Sequence, residues 1–157
     1  MQRITPFLWF DTQAEEAVNF YTSIFNNSKI GNISRYGEEG PGPAGSVMVV
    51  NFQLDGQEFH ALNGGPIYKF TEAVSFVINC KTQEEVDHYW DRLTEGGAEI
   101  QCGWLKDKYG LSWQIVPTIL FELLEDKDPV KTSRVMNAMF GMVKMDIQGL
   151  KNAYEGK

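Results

Sequence analysis

The chain has 157 residues, which is about the length of one domain. Its net charge of −7 at pH 7 argues against nucleic acid binding, because neutralising phosphates needs clustered Lys and Arg. Hydrophobic residues make up 43% of the chain, yet no apolar run approaches the roughly 20 residues that a membrane span needs. We therefore expect a single globular domain, residues 1–157, that binds neither nucleic acid nor membranes.

The two cysteines indicate a reducing compartment. Cys80 and Cys102 are too few for a disulfide framework, and the sequence has no CxxC motif. The N-terminal residues also lack the apolar core of a signal peptide. We predict a cytoplasmic protein with both thiols free. A nucleophilic Cys102 is the weaker alternative, because no His lies near it in the sequence.

The first part of the chain reads as a strand, a helix and three more strands. The predicted strands cover residues 4–10, 28–36, 45–54 and 57–63. Asp55-Gly56 is a hairpin turn, and Thr12-Gln13-Ala14-Glu15 matches a capping box in front of the helix. The helix presents an apolar face that consists of Ala14, Ala17, Val18, Tyr21, Ile24 and Phe25.

A segment rich in Gly and Pro, residues 37–45, separates the second and third strands. No packed element has this composition, so we predict a mobile loop. Two roles remain open for it, a lid over a pocket and a plain solvated connection.

The second part of the chain repeats the pattern. A strand over residues 73–80 precedes a second capping box, Thr82-Gln83-Glu84-Glu85, and a helix that ends at Gly96-Gly97. A short strand follows over residues 98–101. The apolar stripe of this helix consists of Val86, Tyr89, Trp90 and Leu93.

A β-hairpin over residues 103–117 carries the pattern that points to function. Its turn is Asp107-Lys108-Tyr109-Gly110, whose Gly can adopt the positive φ of a tight reversal. In the second arm, Trp113 and Ile115 point to one face of the sheet. Ser112, Gln114 and Val116 point to the other face. We predict one packed face and one ligand face, and an ordinary core hairpin is the alternative.

The unit β-α-β-β-β therefore occurs twice, over residues 1–66 and 67–118. At an offset of 69 residues, Phe7 matches Phe76 and Phe20 matches Tyr89. A repeat of a whole unit is more specific than a single motif, because one half cannot bury its sheet face alone.

Several segments of the chain resemble a known family. They are Ile4-Thr5-Pro6-Phe7-Leu8-Trp9-Phe10, Ala14-Glu15-Glu16-Ala17, Phe20-Tyr21, Ala61-Leu62-Asn63-Gly64-Gly65-Pro66, Trp104-Leu105-Lys106-Asp107 and Ser112-Trp113-Gln114. The resemblance is to the PhnB-like branch, labelled "3-demethylubiquinone-9 3-methyltransferase", of the glyoxalase/bleomycin-resistance/extradiol-dioxygenase (vicinal oxygen chelate) superfamily. It implies an α+β, glyoxalase-like fold in which two βαβββ modules each curl a mixed sheet around a cavity. It also implies a homodimer.

The metal-using members of that superfamily hold a divalent ion with His and Glu on the cavity faces of the strands. In this chain the corresponding places fall near Thr5 or Pro6, near Ala73 or Ser75, on Gln114, and on His60 or Asn63. With one His and no Glu among these places, we predict a metal-independent protein without metal ligands. The chain also lacks the Gly-rich turn of S-adenosylmethionine or nucleotide sites, so no cofactor is predicted.

What remains is a cavity with apolar walls and a few polar groups that bind a small molecule. The predicted ligand-binding residues are His60, Asn63, Tyr68, Trp104, Lys106, Ser112 and Gln114. Asp107 and Lys108 belong to the turn, and an ion pair between Lys106 and Asp107 is the structural alternative. We predict a small-molecule-binding protein with no catalytic residue assigned. The alternatives are a metal-dependent lyase, isomerase or dioxygenase, and a sequestering binder like the bleomycin-resistance members.

Residues 119–157 form a C-terminal helical extension. We predict a short helix around Leu120 to Leu124, a second that starts at Asp128-Pro129, and a third that Asp146 caps. Met136 and Met139 lie on the apolar stripe of the second helix, where Met gives an adaptable surface. The extension could pack in the core, cover a sheet edge, close a cavity or meet a second subunit.

Overall fold

The computed structural model describes residues 2–157. Two compact units make up the chain; the first ends at Phe70 and the second runs from Thr71 to Lys157. Within residues 2–157, no helix is long and apolar enough to cross a membrane.

The first unit is a four-stranded mixed sheet with one helix. Its strand order is β1-β4-β3-β2, in which β1 is parallel to β4 and the other pairs are antiparallel. Asp55 and Gly56 both have positive φ, as the predicted hairpin turn requires. The elements are β1 (Phe7–Phe10), α1 (Ala14–Ile24), β2 (Lys29–Arg35), β3 (Val47–Leu54) and β4 (Gln57–Asn63).

Helix α1 packs against β3 and β4. Leu8, Phe10, Val50, Phe52 and Phe59 are buried, whereas their neighbours along each strand are more exposed. Alternation of this kind places one face of the sheet against the helix and leaves the other face open.

The second unit repeats this topology, and the predicted βαβββ repeat is thereby confirmed. Its sheet has the order β5-β8-β7-β6, in which β5 is parallel to β8. Val86, Trp90 and Leu93 of the helix are buried, as their spacing predicted. The elements are β5 (Ser75–Cys80), α2 (Gln83–Thr94), β6 (Ala98–Glu99), β7 (Trp104–Lys106) and β8 (Ser112–Pro117).

The C-terminal extension forms three helices that pack on the second unit: α3 (Ile119–Leu124), α4 (Pro129–Phe140) and α5 (Ile147–Glu155). The Asp128 and Asp146 side chains accept backbone N–H bonds at the starts of α4 and α5, which confirms both predicted caps. The extension shares one apolar core with the sheet, made of Val116, Leu120, Val135, Met145 and Leu150.

The structure corrects the first capping box. Residue 13 is the N-cap of α1, and no side chain from residues 12–15 caps the helix. Instead, Asn63 Oδ1 at the end of β4 accepts the Ala14 N–H at 2.8 Å. At α2 the predicted Thr82 cap is present, although Glu85 accepts the N–H of Lys81 rather than that of Thr82.

One other prediction needs revision. The first strand starts at Phe7 rather than at residue 4, and Ile4 is exposed. The loop over residues 37–45, whose mobility stays a prediction, contacts Tyr36. The Gly45 N–H bonds to the Tyr36 carbonyl, and an added Cβ at Gly40 or Gly42 would collide with the Tyr36 ring. Tyr36 therefore holds the loop, and this contact requires glycine at both positions.

Candidate functional site

Strand β8 separates a packed face from an open face in the second sheet. Trp113 and Ile115 are buried on the side of α2. Gln114 lies on the opposite side, where Trp104 is its register partner on β7. We use the name open face for the side that carries Ser75, Trp104, Lys106, Ser112 and Gln114.

The turn between β7 and β8 is built around a buried carboxylate. Asp107 is only 3% exposed. It accepts the backbone N–H of Tyr109 at 2.9 Å, that of Leu111 at 3.1 Å, and the Nε1–H of Trp113 at 2.9 Å. One carboxylate thus holds both the turn and the largest side chain of the packed face, which fixes where the open-face residues of β7 and β8 lie.

Lys106 does not pair with Asp107, so the ion pair considered as an alternative is wrong. Its ammonium group forms an ion pair with Glu72. That hydrogen bond lowers the pKa of the Glu72 carboxyl below its ordinary value. Both side chains are partly exposed, so the pair neutralises charge beside the open face without adding much stability.

Gln114 and Trp104 keep polar atoms that the protein does not use. Gln114 Nε2 donates to Ser75 Oγ at 2.9 Å, which leaves the amide oxygen without a partner among residues 2–157. The indole N–H groups of Trp9, Trp90 and Trp113 donate to Gly65, Glu99 and Asp107. The Trp104 indole N–H has no partner within the described chain. A ligand on this face would therefore meet the Gln114 carbonyl oxygen as an acceptor and the Trp104 indole N–H as a donor.

A cleft of about 580 Å³ lies between the open face and the C-terminal extension. This volume lies within the range of small-molecule sites. Its floor comes from the hairpin and the residues just before it, and its other side comes from α3, α4 and the segment before α5. The cleft is lined by Ile100, Gln101, Cys102, Trp104, Gln114, Val116, Leu120, Phe121, Met139, Phe140 and Met145.

Of the predicted site residues, only Trp104 and Gln114 line this cleft. Lys106 lies on the same face, paired with Glu72. Ser112 is fully buried, and its hydroxyl has no hydrogen-bond partner among residues 2–157. Sequence reasoning missed Cys102, Phe121 and Phe140, and the Met-rich stripe of α4 was the only signal for that side.

The other three predicted residues lie in the first unit, in different surroundings. His60 bonds to Asn51 through Nδ1, stacks on Phe7 and lines a groove of about 340 Å³. Asn63 caps α1 and lines a separate pocket of about 370 Å³ under the loop over residues 37–45. Tyr68 is 64% exposed and contacts Trp9 edge to face. The first unit therefore does not gather these three residues at one point.

The residues present do not suit a divalent ion. No three side chains of His, Cys, Asp or Glu converge anywhere in residues 2–157. In the second unit, the amide of Gln114 is bonded to Ser75, and neither group is a carboxylate or an imidazole. In the first unit, His60 is the sole imidazole on the sheet and is held by Asn51. Sites for Zn, Mn or Fe need several such ligands at one point, and residues 2–157 do not bring them together.

A family model described as 3-demethylubiquinone-9 3-methyltransferase matches residues 2–116. The chain belongs to this family. The PhnB protein from Bacillus cereus, a solved structure, is 43% identical with a TM-score of 0.69, over 74% of this chain and 100% of that chain. No curated protein matches the chain.

More distant solved structures share the fold of this protein. The protein PA1353 from Pseudomonas aeruginosa is 20% identical with a TM-score of 0.62, over 74% of this chain and 98% of that chain. The fosfomycin resistance protein FosX from Listeria monocytogenes is 18% identical with a TM-score of 0.55, over 80% of this chain and 98% of that chain. The α+β, glyoxalase-like fold and the superfamily that the resemblance implied are thereby confirmed.

The family match ends at residue 116, inside β8. The C-terminal extension, residues 119–157, therefore lies beyond the part of the chain that defines the family. The cleft joins both parts, because β7 and β8 belong to the match and α3 and α4 do not.

Proposed function

We propose that this protein binds a small molecule without a metal ion, in the cleft on the open face of the second sheet. The observation that carries the proposal is the pairing of Trp104 and Gln114 at the floor of the cleft. Trp104 offers a ring face for stacking and an N–H, and Gln114 offers a carbonyl oxygen. An apolar cleft with a few polar atoms that lack partners is the usual form of a ligand site.

Binding is favoured over catalysis by the lining of the cleft. General acid–base catalysis needs a titratable group within reach of the substrate. The lining contains no His, Asp, Glu, Lys or Arg, and Cys102 is its one ionisable side chain. A binder needs only shape, stacking and hydrogen bonds, all of which the lining supplies. A sequestering or carrier role therefore fits this cleft better than a reaction.

The methyltransferase activity that the family description names finds no support in this architecture. S-adenosylmethionine enzymes of the common type place a Gly-rich turn between a strand and a helix of an open α/β sheet. Here each unit is a separate four-stranded sheet of the βαβββ type. Gly64 and Gly65 follow β4, but the residues after them do not form a helix.

We also propose that the protein is a cytoplasmic homodimer, as the resemblance implied. Support comes from large apolar side chains that are exposed in the first unit, since exposed apolar surface often marks a contact between proteins. Symmetric pairs are the commonest oligomers. The exposed side chains in that unit include Ile4, Phe7, Ile67 and Tyr68.

A metabolite screen by thermal shift, followed by calorimetric titration of the best ligand, tests the proposed binding. The variant Gln114→Glu places a negative charge in a cleft without charged side chains and should weaken binding about tenfold or more. The matched variant Trp113→Ala alters the packed face of the same strand. It should lower stability by about 3–5 kcal/mol with little direct effect on affinity. Unchanged affinity in Gln114→Glu would reject the cleft as the site.

A further inference from the structure

The C-terminal extension supplies the outer side of the cleft. Phe121, Met139 and Phe140 line it from α3 and α4, and Met145 lines it from the segment before α5. These residues lie outside the family match, which ends at residue 116. A ligand in the cleft would therefore contact residues that lie outside the family match.

This outer side is fixed to the rest of the second unit by specific bonds. The N–H groups of Cys102 and Gly103 donate to the carbonyls of Met142 and Val143 in the extension. Gln83 of α2 donates to the Met145 carbonyl at 3.1 Å and accepts the Ile147 N–H at 2.9 Å. The extension is thus attached at both the hairpin and α2, and it forms a defined surface for a ligand.

The cleft carries no net charge. Its lining has no charged side chain. Lys106 and Glu72, which lie next along the open face, neutralise each other. The chain as a whole is acidic, at −7, and so gives an anion no general attraction. Moving an unpaired charge into such a site costs free energy, so an uncharged ligand is favoured.

The polar atoms of the floor favour a ligand with complementary groups. The Gln114 carbonyl oxygen can accept a hydrogen bond from it, and the Trp104 indole N–H can donate one. The Gln101 side-chain amide, at the rim of the cleft, can do both. A hydroxyl or an amide supplies both functions in one group. The aromatic and Met side chains around it suit a flat ring.

Resting on the proposed binding function, we infer that the C-terminal extension selects an uncharged aromatic ligand that carries a hydroxyl or amide group. The ring lies between Trp104 and the side chains of α4, and its polar group faces Gln114. Selection comes from the extension because the apolar surface opposite Trp104 belongs to it.

Three related probes test the ligand class by calorimetric titration of the full chain. They are 2-naphthol, naphthalene without the hydroxyl, and 6-hydroxynaphthalene-2-sulfonate with an added charge. We expect 2-naphthol to bind about fivefold more tightly than naphthalene, because only it can hydrogen-bond to the floor. We expect the sulfonate to bind at least about tenfold more weakly than 2-naphthol. Equal affinities for 2-naphthol and its sulfonate, or no binding of 2-naphthol, would overturn the inference.

A pair of variants on α4 tests the role of the extension. Phe140 lines the cleft and is 59% exposed, so Phe140→Glu adds a charge there without removing a core side chain. Asn137→Glu adds the same charge at an exposed position of the same helix that does not line the cleft. We expect Phe140→Glu to weaken 2-naphthol about fivefold or more, and Asn137→Glu to change it less than about twofold.

A third variant separates failure of the inference from failure of the proposed function. Trp104→Ala removes the ring of the floor, which belongs to the family match. If Trp104→Ala weakens 2-naphthol and Phe140→Glu does not, the cleft still binds ligands but the extension does not select them. If neither variant weakens 2-naphthol, the probe binds elsewhere, and both the inference and the proposed site are rejected.

Discussion

Replacing Asp107 by Ala tests how the hairpin holds the candidate site. The carboxylate accepts N–H groups from Tyr109, Leu111 and Trp113, and the last two of these residues are buried or nearly so. A buried donor left without a partner costs about 1–3 kcal/mol. The third donor, the Tyr109 N–H, lies nearer the surface and can turn to water. The two buried donors together predict a loss of about 2–6 kcal/mol in the free energy of unfolding.

A loss of about 4 kcal/mol lowers the melting temperature of a protein of this size by about 8–16 °C. Urea denaturation followed by tryptophan fluorescence and circular dichroism measures the free energy directly. Asp107→Asn keeps one acceptor oxygen and the shape of the side chain, so we expect it to lose about half as much. The amide of the Asn side chain has one acceptor oxygen, so it can accept only some of the N–H groups that bond to the carboxylate.

The matched control is Asp128→Ala, which makes the same chemical change in the same unit. Asp128 caps α4 through one bond to the Val130 N–H at the surface, and its loss costs about 1 kcal/mol. If Asp107→Ala costs no more than Asp128→Ala, the carboxylate does not hold the turn. The reasoning that places Trp104 and Gln114 through Asp107 would then be refuted.

Three further predictions concern metal, assembly and thiols. Protein purified without added metal should contain well under one equivalent of Zn, Ni, Mn or Fe by elemental analysis. One equivalent of metal, whose removal by a chelator also abolished ligand binding, would contradict the proposed function. Light scattering at micromolar concentration should give the mass of a dimer, and a single-chain mass would reject the proposed assembly. Burial raises the pKa of the Cys80 thiol to about 12, so a thiol reagent at pH 8 should modify Cys102 alone in the folded protein. A bound ligand should protect Cys102, because its side chain lines the cleft.

Local patterns predicted the packed elements well. The alternation along β8 correctly placed Gln114 and Val116 at the cleft and Trp113 and Ile115 in the core, because a strand turns successive side chains to opposite sides. Ser112, which was predicted for the same face as Gln114, is fully buried. Asp128 and Asp146 were correctly assigned as caps, since a cap bonds to N–H groups only two residues away. Such contacts are short in sequence, so a sequence pattern contains them completely.

Contacts between residues that are far apart in the sequence were not predicted. Thr12 and Glu15 match a capping box, yet the cap of α1 comes from Asn63, which is 49 residues away from the N–H that it accepts. Asn63 was predicted to bind ligand because it falls on the fourth strand, at a place where the resemblance expects a ligating residue. Its side chain also accepts the Ala14 N–H and donates to the Val47 carbonyl, and the sequence pattern did not indicate either contact. No local pattern reports a partner at that distance.

The outer side of the cleft could not be predicted from the sequence either. The stripe of Val135, Met136 and Met139 fits core packing, a cavity or an interface equally well. In the structure the residues of this stripe have two different roles. Val135 is fully buried in the core, whereas Met139 lines the cleft. Which side of an apolar helix meets a cavity depends on how the helix is docked, and bonds such as those from Cys102 and Gly103 decide that.

The indole N–H signals in a proton–nitrogen correlation spectrum test the central claim most directly. The chain has four Trp residues, and only the Trp104 N–H lacks a protein partner within the described residues. Titration with 2-naphthol, or with a ligand found by thermal shift, should move the Trp104 signal first and most. The signals of Trp9, Trp90 and Trp113, which are bonded within the protein, should change little. A ligand that shifts Trp9 and leaves Trp104 unmoved would contradict the account and place the site on the first sheet.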